Sequence, residues 1–400
     1  MQKRDYIKAY IKEIPNFFSI FMYPIFLMST SPILLDMSTE LNIDIANLSF
    51  IFTFLITGNI LGQITSVFYN ARFKKLNIIL FSYALLIPLM FAMMFFRQLY
   101  SFYIIYFISG YILGVIWIQA NEFLLESRIE NKNKLINIAL VFFPVGAAVA
   151  PLLSIFVSGL GINWKYIFII ITGLIIVTLV LYLSFKRGKP SKKIEVEEKI
   201  ILKQIFFSKN NNFIFILVAA MLFFYGLTET IIFTFTPTFF RIEKLINPQI
   251  AGLSLSVFWI AISIGRIIIS TLLCRLKVNL VALGLTLFSF ASLLLIIYLN
   301  GTFAMLAAIF LTGLGYSGIF SLLFLNGSSI YEKGRAVLET ILFVITSLGA
   351  ALAPYLVKLA TSIDLKIAIF LSLIFISLIS IMLIIHIFYS KKYLDYKKIC

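Results

Sequence analysis

The segment Gly146-Ala-Ala-Val-Ala-Pro151 returns as Gly349-Ala-Ala-Leu-Ala-Pro354, 203 residues later in a chain of 400. The same spacing pairs Gly62 with Gly265, Gly110 with Gly313, Phe107 with Phe310, Arg72 with Arg275 and Lys74 with Lys277. Apolar coincidences carry little weight in so apolar a chain. Glycine and proline are scarce, 20 and 10 residues, so their agreement is informative. The chain reads as two direct repeats, and a repeat of this kind decides the fold before any local pattern does.

Each repeat is too apolar to be a soluble domain. Hydrophobic residues make up 61% of the chain and charged residues 12%, and the mean hydropathy is +1.04. A helix needs about 20 apolar residues to cross a bilayer. Twelve such runs lie near 14–35, 48–69, 76–96, 100–122, 135–158, 164–185, 213–236, 250–273, 278–298, 302–326, 336–360 and 365–389. Helix is the expected state, because an open strand leaves its backbone unpaired in lipid. The expected fold is an all-α membrane protein, twelve transmembrane helices in two pseudo-symmetric halves of six. The halves cover residues 1–185 and 213–400, and 186–212 forms a linker. The first run has no small-residue cleavage site, so it reads as a span and not as a signal peptide.

Lys and Arg fix the orientation. With both termini cytoplasmic, 26 of the 33 Lys and Arg lie in inside segments and 6 outside, while Arg266 sits within a run. This is the positive-inside bias of a prokaryotic cytoplasmic membrane protein. The net charge of +16 therefore reflects topology and not nucleic acid, for which there is no soluble domain. The linker carries Lys186-Arg-Gly-Lys-Pro-Ser-Lys-Lys193 and then Glu195, Glu197 and Glu198. It is read as a surface segment with a short amphipathic helix, whose basic block sets topology or meets lipid headgroups.

Soluble-enzyme chemistries find no support. His386 is the single histidine, and Cys274 and Cys400 are the two cysteines. That excludes a histidine metal cluster, a Ser/His/Asp set and a disulfide framework. No phosphate-binding Gly-Lys-Ser/Thr loop is present. The expectation is no enzyme, no cofactor and no metal, with a single chain in the membrane.

Any chemistry must come from polar residues inside the runs. A charge at mid-membrane costs from about 2.5 kcal/mol upward unless it is paired or wetted. Glu229, in the seventh run, reads either as a substrate or proton acceptor or as a tie to a neighbouring helix. Tyr225 lies four residues before it on the same face. Arg266, in the eighth run, either holds an anionic or hydroxyl-rich solute or pairs with Glu339 as a gate. Trp117 and Asn121 share a face of the fourth run, an aromatic plate beside an amide, and Gln119 points away from both. Trp259, Tyr316 and Asn326 are further candidates for contact with a solute. For Tyr316 and Asn326, as for Asn59, Gln63 and Asn137, cross-helix hydrogen bonding is the simpler reading.

Six helices repeated once resemble the major facilitator superfamily, over essentially the whole chain. The resemblance implies a secondary transporter working by alternating access, with its first, fourth, seventh and tenth helices lining the path. Phe258-Trp259 followed by Gly265-Arg266 and Arg275 looks like the eighth helix of fucose-permease-like members. Tyr225-Gly-Leu-Thr-Glu229 fits that group, as do Gly110, Gly114, Asn121, Asn137 and Gly146 to Pro151. The family's loop motif Gly-x-x-x-Asp-Arg-x-Gly-Arg-Arg keeps only its last basic pair, since Ser66, Asn70, Ala71, Phe73, Lys74 and Lys75 fill its slots. Where proton-coupled sugar permeases of this type carry acids, this chain has Ser31 and Trp117. The resemblance also sets the fifth and eleventh helices against the opposite half. Gly146, Pro151, Gly349 and Pro354 are then expected at moving interfaces, with packing inside one half that only sets its shape as the alternative. The expected partners are a small polar solute, a sugar or related metabolite first, a proton or other cation as co-substrate, and membrane lipid. Efflux of an amphipathic compound, or a receptor or assembly factor that keeps the fold without the cycle, are the competing readings.

The topology has a direct test. A single cysteine placed in 186–212 of an otherwise cysteine-free chain should resist a membrane-impermeant maleimide on intact cells and react after permeabilisation. Reaction from outside would invert the orientation.

Overall fold

The computed structural model describes residues 10–125, 132–185, 209–272, 276–328, 330, 335–361 and 364–393. Most of the expected linker, 186–208, lies outside them, as do Arg275 and the side chain of Asn137. Among the described residues, twelve helices are long and apolar enough to cross a membrane. They are α1 (Ile14–Leu41), α2 (Phe50–Arg72), α3 (Lys75–Phe95), α4 (Leu99–Leu125), α5 (Lys132–Gly159) and α6 (Tyr166–Ser184). Then come α7 (Lys209–Ile242), α8 (Pro248–Leu272), α9 (Val278–Tyr298), α10 (Thr302–Ser328), α11 (Arg335–Thr361) and α12 (Leu365–Tyr393). Several outrun their apolar cores, α7 most of all at 34 residues. Helical hydrogen bonding continues past the hydrocarbon limit, so hydrophobicity alone marks the core of each helix and not its ends. α10 is broken after Tyr316 and resumes at Ile319.

The chain divides into two compact units, Met1–Lys193 and Ile194–Cys400. In the first, α1 packs on α5, α2 on α4 and α3 on α6; in the second, α7 packs on α11, α8 on α10 and α9 on α12. The pairings are the same, and so are their atoms. A methyl group on Gly110 would lie 2.0 Å from the carbonyl oxygen of Leu55, and one on Gly313 would lie 2.4 Å from that of Phe258. Leu55 and Phe258 are themselves 203 residues apart. Gly62 closes on Tyr111, and its counterpart Gly265 on Leu314 and Ser317. Water does not drive helices together inside a bilayer. Close backbone approach does that work, and only glycine permits it at these points.

The turns repeat as well. Asn42 after α1 and Leu245 after α7 are the two non-glycine residues with positive φ among those described, at 54° and 52°. Two residues on, the side chain of Asp44 accepts the Asn47 N–H at 3.1 Å, and that of Asn247 accepts the Gln249 N–H at 2.9 Å. Each is an Asp or Asn cap opening the next helical turn.

The Gly-Ala-Ala-x-Ala-Pro segments pack on the first helix of their own half. A methyl on Gly146 would lie 2.1 Å from the Phe21 carbonyl of α1, and one on Gly349 would lie 2.1 Å from the Phe223 carbonyl of α7. Ala150 and Ala353 are fully buried beside them, and Pro151 and Pro354 are buried too.

The glycine contacts give a paired prediction. Gly110→Ala must force α2 and α4 apart and should lower stability by about 1–3 kcal/mol. Gly173→Ala meets nothing within 4 Å and should be neutral or slightly stabilising, since alanine favours helix. Thermal unfolding of both variants in detergent decides this, and equal midpoints would remove close packing as the reason for the glycine.

Candidate functional site

In the second unit the candidate residues converge on α7. Tyr225 and Glu229 are one turn apart, and the Tyr225 hydroxyl donates to Glu229 Oε1 at 2.6 Å. A hydroxyl bonded to a carboxylate is among the stronger hydrogen bonds. It offsets part of the cost of a charge inside the span. Arg266 on α8 lies close enough for its charge to act on both Glu229 and Tyr225. Glu229 is half-buried, and one of its carboxylate oxygens is held by Tyr225.

Aromatic rings gather around Tyr225 and Tyr316. Tyr316 on α10 lies 5.8 Å, centroid to centroid, from Tyr225 and from Phe258. Phe320 lies 5.8 Å from Tyr225 on the other side. Trp259 stands edge-on to Phe258 at 5.8 Å and is buried. Tyr316 is the last residue before the break in α10. Its hydroxyl is buried beside Thr228 of α7. The break frees backbone groups in the same neighbourhood, and Ser317 Oγ takes the Leu314 carbonyl at 2.6 Å. Irregular backbone at membrane depth is tolerated where it lines a cavity or is buried in protein.

In the first unit Trp117 lies 4.7 Å from Tyr23 and edge-on to Phe143 at 5.9 Å. Tyr23, on α1, donates to Asn59 Oδ1 at 2.9 Å, and Gln63 Nε2 donates to the same oxygen at 2.6 Å. Trp117 and Asn121 share their face as expected, but Asn121 Nδ2 donates to the Trp117 carbonyl at 2.8 Å. Two other candidates stand between helices. Gln119 is fully buried and donates to Ser66 of α2 at 2.8 Å. Asn326 is buried and donates to Asn279 of α9 at 2.6 Å. Both are cross-helix ties, which polar residues in spans commonly are. Glu122 pairs with Lys75, the last base of the loop after α2.

The sequence reading missed the polar face of α1. Tyr83 of α3 donates to Ser19 at 2.7 Å. Tyr182 of α6 donates to Asn16 Oδ1 at 2.9 Å, so the 2.9 Å contact between Ser19 and Tyr182 has Ser19 as donor. Asn16 Nδ2 in turn donates to Glu13 at 2.6 Å. Every donor points toward Glu13, and such a chain polarises cooperatively in a low dielectric. Asn16, Ser19 and Tyr23 at i, i+3 and i+7 were a visible polar stripe in an apolar run. The tyrosines that answer it lie in distant runs and carried no signal of their own.

Comparison with known proteins agrees with this geometry. The sequence model of the Major Facilitator Superfamily matches residues 17–354. The glucose/mannose transporter GlcP of Bacillus subtilis (strain 168) is 26% identical over 356 residues, 85% of each chain. The crystal structure of a D-xylose-proton symporter superposes with a TM-score of 0.76 at 13% identity, over 94% of this chain and 97% of that one. The nucleoside transporter NupG gives 0.75 at 15% identity, over 97% and 99%. At those identities the structural likeness is one of fold. The chain belongs to the Major Facilitator Superfamily and is a multi-pass membrane protein that works as a secondary transporter of small solutes.

Proposed function

We propose that the solute is a small, neutral, hydroxyl-rich molecule, a hexose-class sugar first, and that Glu229 is the in-span carboxylate through which it or an accompanying proton acts. The observation that carries this reading is the half-buried Glu229, with one oxygen held by Tyr225 at 2.6 Å and Arg266 in electrostatic range. A carboxylate kept in a span at such cost is a functional site by default. A sugar presents hydroxyl donors to carboxylates and apolar faces to rings. The second unit packs Tyr316 and Phe320 on Tyr225, whose hydroxyl holds the acceptor, and Phe258 on Tyr316. A recognition site of this kind is mostly apolar, with a few placed polar groups. The likeness to a glucose/mannose transporter supports the sugar, and the likeness to a proton symporter supports the proton. The membrane is the prokaryotic cytoplasmic membrane and both termini are inside, on the basic-residue bias of the sequence.

The acid positions that sugar permeases of this type use in their first and fourth helices hold Ser31 and Trp117 here. Glu229 is the carboxylate within the seventh span, and coupling moves to the second unit in consequence. When protonated, Glu229 becomes a hydrogen-bond donor, and the Tyr225 hydroxyl can no longer find an ionised acceptor there. Solute and proton thereby act on one atom pair.

Glu229→Gln removes the titration and keeps the shape. In proteoliposomes it should abolish accumulation of labelled glucose driven by a proton gradient, a drop of at least about tenfold, while exchange of internal for external glucose continues. Tyr225→Phe should weaken apparent affinity and retain gradient dependence. Accumulation at the wild-type level in Glu229→Gln would remove that residue from both roles.

A further inference from the structure

We propose that Glu40 and Glu243 are equivalent positioning residues. Each holds the last turn of the first helix of its half to the start of the sixth, and so keeps the site residues of α1 and α7 in register. This rests on the transport reading above. Glu40 stands at the end of α1. Its Oε1 pairs with Lys165 Nζ at 2.5 Å, and its Oε2 accepts from Asn163 Nδ2 at 2.7 Å. Both partners lie just ahead of α6. Glu243 follows α7 directly and pairs with Lys366 at the start of α12, at 3.4 Å. Glu40 and Glu243 are 203 residues apart, and so are Asn163 and Lys366. The two halves therefore carry the same contact at the same place, built with different side chains at the entry to the sixth helix.

The position of the clamp gives it a role. α1 contains Pro24 and Pro32, and α7 contains Pro237. A proline inside a helix removes a backbone hydrogen bond and bends the helix there. Each clamp lies beyond such a proline, on the segment whose helical hydrogen bonding the proline interrupts. In the second half the hold is doubled. Lys244 Nζ donates to the carbonyls of Ile297 and Leu299 at 2.7 and 2.8 Å and to Asn300 Oδ1 at 3.2 Å. Those carbonyls end α9, where a cation is favoured by the unpaired C=O groups and the helix dipole. Three helices are thus tied at the end of α7, on the element that carries Tyr225 and Glu229. Exposed ion pairs hold weakly one by one. Lys366 is about half exposed, so the clamp can yield within a working cycle and still set the resting position of the helix.

Two readouts on the full-length protein test this. Hydrogen exchange of the backbone across 238–245 should rise at least threefold in Glu243→Gln and in Lys366→Glu. It should return toward wild type in the double variant Glu243→Lys with Lys366→Glu, with α8 unchanged throughout. Glu40→Gln should show the same rise across 36–42. The apparent KM for glucose should rise at least threefold in Glu243→Gln, at near-constant maximal rate, and recover in the exchanged pair. Unchanged exchange in the single variants would overturn the clamp itself. Faster exchange with an unchanged KM would overturn its positioning role and leave it a local brace. If the wild-type protein moves no sugar, the proposed solute is wrong, and the hydrogen-exchange arm alone then decides the clamp.

Discussion

A peptide group in hydrocarbon finds its hydrogen-bond partner within its own helix or finds none. That constraint turns nearly every apolar run of this chain into a helix, and it removes the usual reason for helices to gather. With lipid as apolar as leucine, association must come from close approach and from polar side chains that reach across. The structure shows both means at their limit. Gly58, Gly62, Gly110 and Gly114 bring α2 and α4 so near that an added methyl would strike the opposite backbone. Gln119 to Ser66, Asn326 to Asn279 and Tyr23 to Asn59 join helix pairs through buried hydrogen bonds.

The repeat is a repetition of these contacts more than of residues. Leu55 and Phe258 differ in side chain, yet each offers its carbonyl to the glycine that stands 55 residues further on. Asn42 and Leu245 share a left-handed turn that suits asparagine better than leucine. What recurs is backbone geometry, which is what a helix pair in lipid must preserve. Side chains pointing away from the contact were free to diverge, and they account for the different chemistry of the two halves. The second half holds the in-span Glu229 and Arg266. The first holds amides, hydroxyls and the aromatic pair Tyr23 and Trp117.

Much of the fold was legible because one physical scale governs it. Bilayer thickness fixes run length, so the count and approximate place of the helices follow from hydropathy, and the 203-residue spacing of scarce residues gives the two halves. The pairing of Tyr225 with Glu229 was legible because one helical turn separates them. Contacts that depend on the partner helix were not. Gln119 and Asn326 left solute and helix both open as partners, since a polar residue in a span signals a partner without saying which. Gly146 and Gly349 carried a small face, but which neighbour fills such a face is decided by tertiary packing. The polar stripe Asn16, Ser19, Tyr23 was visible, whereas its partners Tyr83 and Tyr182 were two tyrosines among 19.

The account stands or falls on one property of the unmodified chain, that it moves a hexose across a sealed membrane at the expense of a proton gradient. Purified protein in proteoliposomes should accumulate labelled glucose above the external concentration while an inward proton gradient is imposed. When a protonophore collapses the gradient, it should fall back to simple equilibration. Uptake that ignores the gradient, or no uptake of hexose under either condition, would contradict it.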